Sequence, residues 1–137
     1  MKENKLMISG FVSYAIFQML GMLFALFTGR LDTLPSGFTW EKFIRLFITF
    51  SIGVGIMGII VGHFFGRIQN RIPFENIYAK SISYNMAILL ILSLFKGFSY
   101  LTSIDFVIAS VSTVFIGWFF IWFYKLIGGS TSDNQEA

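Results

Sequence analysis

Four apolar stretches, each about as long as a bilayer is thick, constrain this chain more than any other feature of its sequence. They run from Met7 to Thr28, Phe43 to Phe65, Ile77 to Phe95 and Asp105 to Ile127. A helix rises about 1.5 Å per residue and a hydrocarbon core is about 30 Å thick, so about 20 apolar residues cross it. The chain is 55% hydrophobic and 12% charged, against about 25% charged in ordinary soluble domains. None of the stretches carries a polar stripe wide enough to face water, and a water-facing globule could not hide so much apolar surface. The expected fold class is therefore all-α, an integral membrane bundle of four transmembrane helices forming one domain over residues 1–127. A polar tail over 128–137 is expected to be disordered.

The third stretch is the least apolar, because Lys80, Ser81, Ser83 and Asn85 crowd its first half. It is expected to span with Lys80 reaching back to the interface. The first stretch follows Lys2 and Lys5, as a signal peptide would, but its apolar run is longer than such a region and no A-x-A-like site follows. An uncleaved helix is expected. Between the first two stretches, Leu34-Pro35-Ser36-Gly37 is a turn signal and Trp40 suits the headgroup depth. Phe115, Trp118, Phe119, Phe120, Trp122, Phe123 and Tyr124 end the fourth stretch, where an interfacial anchor is expected.

With no cysteine, disulfides, thiolate metal sites and thiol nucleophiles are excluded. The net charge is +3, but the cations lie singly at helix ends and form no patch for nucleic acid, so none is expected as a partner. Anionic lipid headgroups are the expected partner, above all at Arg67 and Arg71, which sit four apart beside Ile68 and Ile72. Lys2, Lys5, Arg67, Arg71, Lys80 and Lys125 fall on one side of the expected topology, and Arg30, Lys42, Arg45 and Lys96 on the other. That bias predicts a multi-pass protein of the plasma membrane with both termini cytoplasmic. Richness in Ile, Phe, Lys and Asn suggests an AT-rich genome and a bacterial cell membrane.

The most specific local pattern is a seam of small residues, Ser51, Gly55, Gly58, Gly62 and Gly66, along one face of the second stretch. Gly21, Ala25 and Gly29 form a shorter seam on the first. Small residues at this spacing let helix backbones approach closely in lipid, where van der Waals packing holds helices together. Either the two seams pack on each other within one subunit or they form an oligomer or membrane-complex interface.

Gln18 and Asn85 are the polar groups nearest the bilayer centre, and an unpaired amide there costs several kcal/mol. Both are expected to face protein or a wet cavity. With His63, the one histidine, they are the candidates for an intramembrane polar path. The seven acids, Glu3, Asp32, Glu41, Glu75, Asp105, Asp133 and Glu136, all lie at stretch ends, in loops or in the tail. No metal site, cofactor or catalytic motif is expected from this pattern. The leading expectation is a non-enzymatic accessory or structural subunit acting through helix contacts, and the alternative is a small oligomeric transporter or channel.

In its four short helices the chain resembles the small multidrug transporters. Their first helix carries an embedded glutamate, where this one has Gln18 and no acid, so proton-coupled export finds no residue to act through. The Gly-rich second stretch and Gly29-Arg30 resemble dual-topology fluoride channels, whose buried asparagine in the second helix and Thr/Ser/Phe-rich break in the third have no counterpart here. Neither resemblance reaches the residues that would carry function, and no family is assigned from them.

Overall fold

The computed structural model describes residues 2–28 and 39–130. Within them α1 is Glu3–Phe27, α2 is Trp40–Ile68, α3 is Ile77–Lys96, α4 is the single turn Phe98–Leu101, and α5 is Ile104–Leu126. A short 3-10 turn, Gln69–Arg71, follows α2, and no strand occurs among the described residues. Four of the helices, α1, α2, α3 and α5, are long and apolar enough to cross a bilayer. The protein is an all-α four-helix bundle with the build of a multi-pass membrane protein.

The helices begin where their capping chemistry lies. Thr39 Oγ1 accepts from Lys42 N at 3.3 Å, Asn76 Oδ1 from Tyr78 N at 2.8 Å, and Ser103 Oγ from Phe106 N at 3.3 Å, so α2, α3 and α5 each start behind a side-chain cap. The α3 helix ends at Gly97, whose φ of +99° is a conformation that L side chains rarely adopt. The loop turn at Leu34–Gly37 and the tail from 131 onward lie outside the described residues.

Two tight pairs make the bundle. In the first, α1 and α2 run antiparallel with their backbones in contact: Gly10 meets the Gly58 carbonyl, and Gly62 meets the Leu6 carbonyl. In the second, α3 lies on α5, where a Cβ on Gly117 would stand 2.8 Å from Ile82 Cα. Ser81 Oγ there donates to Gly117 O at 2.8 Å. The pairs are joined through α1 and α5, as Ser9 Oγ donates to Phe120 O and the Phe17 and Phe119 rings meet at 6.1 Å.

The buried core gathers at the end of the bundle that holds both termini. Leu6, Phe65, Ile77, Phe120, Ile121 and Tyr124 form it, one or more from each spanning helix, with Phe65 and Phe120 edge to face at 5.5 Å. Phe120 and Tyr124 are thus core residues, where the sequence predicts an anchor. Helical periodicity separates them from Trp118 and Trp122, which stack on the exposed face. The first tail residues fold back over this end. Tyr124 Oη accepts from Lys2 N at 3.1 Å and donates to Ser130 O at 3.2 Å, while Lys5 Nζ donates to Gly128 O at 2.5 Å.

Toward the opposite end the packing loosens. On α1 the buried residues are Leu6, Ser9, Gly10, Ser13 and Ala15, and none follows Ala15. Phe27 at the helix end is 86% exposed, an acceptable state only because lipid is the surrounding solvent.

Candidate functional site

Where the helices part, α1, α2 and α5 enclose a cleft of about 450 Å³. Its walls are apolar, from Phe17 and Phe24 of α1 through Val54 of α2 to Ile108 and Ile116 of α5, and its polar lining includes Gln18 and Ser112. The rim residues Leu20, Phe24 and Ile108 are exposed, so the cleft opens sideways toward lipid.

Most polar side chains of the bundle satisfy themselves. Ser83, Ser93, Ser110, Ser112 and Thr113 each donate to the carbonyl four residues back on their own helix, the usual way a hydroxyl is carried in a membrane helix. Asn85 is 3% exposed and engaged at both polar atoms: its Nδ2 donates to Ser81 O at 2.8 Å, and its Oδ1 accepts from Tyr14 Oη at 2.5 Å. Tyr84 Oη crosses in the other direction to Val61 O at 3.1 Å. Two tyrosines thus bridge the interior from α1 to α3 and from α3 to α2.

Gln18 differs from these. It lies near mid-span, about 14 Å of helix short of Phe27 at about 1.5 Å per residue. No hydrogen bond joins its amide to any described residue. Ser51 and Ser13 carry the unpartnered hydroxyls that are sealed inside the described residues, both almost wholly buried. The register set by Gly10 with Gly58 and Leu6 with Gly62 brings Ser51 level with Phe17 and Gln18 across the α1–α2 pair.

The three candidates for a polar path do not share one passage. Asn85 is inside the bundle and Gln18 lines the cleft, with Tyr14 touching both places. His63 lies elsewhere, its Nδ1 at 2.6 Å from Glu3 Oε1. Val61 and Phe65 face α3 through Tyr84, and two residues along a helix is a turn of about 200°, so His63 points to the far side of α2. The Glu3 partner is far from it in sequence and comes from the antiparallel pairing.

The α2 seam is used within the chain. A Cβ added at Gly55 would stand 2.6 Å from the Phe11 ring, one at Gly58 would meet Gly10 and Tyr14, one at Gly62 would meet Leu6, and one at Gly66 would stand 3.0 Å from Leu6 Cδ1. Its partner is the N-terminal half of α1, with Gly10 at the closest approach. The second seam does not face it: nothing lies within 4 Å of where a Gly21 Cβ would stand, Ala25 is half-buried, and Gly29 is outside the described residues. Sequence reasoning passed over Gly10 and Gly117; the signal for the first was there, since Ser9-Gly10-x2-Ser13 is a small-residue cluster on α1.

At the termini end, Arg67 in the last turn of α2 and Arg71 in the 3-10 turn are exposed side by side in sequence with half-buried Ile68 and Ile72. Lys125 Nζ lies 4.7 Å over the Tyr78 ring, a cation–π contact. Among the described residues no group of three or more potential metal ligands comes together. The chain matches no family model, no curated protein and no solved structure.

Proposed function

We propose that this chain is a non-enzymatic accessory or structural subunit of a membrane assembly, which works by receiving a transmembrane partner in the cleft between α1, α2 and α5. The observation that carries this reading is Gln18, an amide near mid-span that no described residue satisfies. In hydrocarbon such a group costs several kcal/mol if left alone, and a helix carrying a polar side chain at the same depth relieves it.

Transport is the second reading, and two features weigh against it. The interior at the termini end is filled by Leu6, Phe65, Ile77, Phe120, Ile121 and Tyr124, and Asn85 has both its polar atoms engaged inside the bundle. The termini end carries Lys2, Lys5, Arg67, Arg71, Lys80 and Lys125. We place it at the cytoplasmic face of a plasma membrane, with Arg67 and Arg71 among anionic headgroups.

A photo-reactive benzoylphenylalanine at Leu20 or Phe24, on the cleft rim, should give protein adducts in native membranes. The same group at Leu92, on the exposed face of α3, should give lipid adducts only. Lipid adducts alone from the cleft would overturn the reading, and solute or ion flux in liposomes that Gln18→Leu abolishes would then favour transport.

A further inference from the structure

We infer that the occupant of the cleft is a second copy of this chain, docked about a two-fold axis along the membrane normal so that the two Gln18 amides hydrogen-bond each other. The inference rests on the helix-contact reading above and adds the identity of the partner.

The chemistry of Gln18 points to its own copy. A carboxamide is at once donor and acceptor, so two of them facing each other satisfy both: each Nε2–H donates to the other's Oε1. A two-fold along the normal places identical residues at identical depth, which is the condition for the amides to meet. An acyl chain fills an apolar cleft but offers an amide nothing. Ser112, across the cleft, already donates to Ile108 O at 2.9 Å.

The surroundings of Gln18 permit the approach. A short side chain brings its partner within reach only if the helix backbones come close, and Gly21, almost one turn further on, has nothing within 4 Å of its Cβ position. Ala25 continues that face. Leu20 and Phe24, 53% and 58% exposed, flank it as apolar surface free to be covered. The cations at the termini end favour inserting every copy the same way round, which a two-fold along the normal requires.

The cysteine-free sequence makes the test clean. Gly21→Cys, oxidised in native membranes or lipid vesicles, should give a disulfide-linked species of twice 15.6 kDa, and Leu92→Cys should not. Adding Gln18→Leu should lower the yield of that dimer by about 8- to 300-fold, the worth of the two interhelical hydrogen bonds it removes in lipid. Undiminished crosslinking in the Gln18→Leu background overturns the amide pairing. A benzoylphenylalanine at Leu20 separates the two proposals. An adduct of dimer mass supports the second copy, an adduct of any other protein mass overturns it while leaving the helix-contact reading intact, and lipid adducts alone overturn both. Wild-type helical ellipticity in each variant establishes that the bundle has formed.

Discussion

Gly10→Ala tests the contact on which the whole bundle is built. A Cβ at Gly10 would overlap the Gly58 carbonyl oxygen and stand 2.8 Å from its carbon, where ordinary contact begins at 3.4 Å. Both obstacles are helix backbone and cannot rotate aside, so α1 and α2 must part by more than the 0.6 Å missing at the carbon, since the oxygen is nearer still. A gap of about 0.5–1 Å forfeits a quarter to a half of each van der Waals contact it opens, and the gap runs along Gly55, Gly58, Gly62 and Gly66. Overpacking of this kind costs about 1–3 kcal/mol, and with backbone on both sides the upper end applies. Replacing a mid-helix glycine by alanine returns up to about 1 kcal/mol of helix propensity, leaving a net loss of about 2 kcal/mol. The control is Gly53→Ala, because nothing lies within 4 Å of a Cβ there; it should be neutral or mildly stabilising. Both are measured by reversible unfolding in mixed micelles, with ellipticity as the signal. Equal losses in the two variants, or a Gly10→Ala protein as stable as the parent, would show that the helices do not touch where the structure brings them together.

Three further substitutions probe the polar groups. Tyr14→Phe removes the donor to Asn85 Oδ1 and should cost about 1–2 kcal/mol in the same unfolding assay; in an Asn85→Leu background the added loss should nearly vanish, and additive losses would refute the pairing. Ser51→Ala removes a buried hydroxyl with no partner and should change stability by less than about 0.5 kcal/mol or raise it; a loss above about 1 kcal/mol would mean the hydroxyl is engaged. Tyr124→Phe frees the Lys2 N–H and the Ser130 carbonyl, so hydrogen exchange across the first turn of α1 should quicken while α3 exchanges as before.

The four spans are legible because bilayer thickness sets their length, and for three of them the capping residues, Thr39, Asn76 and Ser103, stand just before the apolar runs. Partnerships between helices are harder to read. The α2 seam is recognisable as a contact surface, yet its partner follows from direction of travel and not from likeness. Gly21 and Ala25 lie in the last turns of α1 and Gly58 to Gly66 end α2, and in antiparallel neighbours the two C-terminal halves lie at opposite faces of the membrane. The same alternation brings Glu3 to His63 and sets Gly10 against Gly58. Asn85 is legible as a buried polar group, but its partner is not, because Tyr14 reads as one more aromatic residue in an apolar run until the fold aims its hydroxyl inward. The fourth-helix aromatics divide between core and lipid by angle around the helix, which composition does not report.

For a chain of this kind, exposure of apolar surface says little about partners. Leu90, Ile91, Leu92, Leu94 and Phe95 are all exposed on α3, and acyl chains cover them at no cost, since lipid tails are as apolar as the side chains themselves. The question an apolar patch raises in water is raised in a bilayer by an unsatisfied polar group. Ser83, Ser93 and Ser110 bond their own helices, Ser9 and Ser81 bond the next one, and Asn85 takes two partners. Ser13 and Ser51 are sealed inside the protein. Gln18 combines an unsatisfied amide near mid-span with an opening toward lipid. That combination makes the cleft, and not the glycine seam already filled by α1, the surface through which this bundle meets whatever it works with.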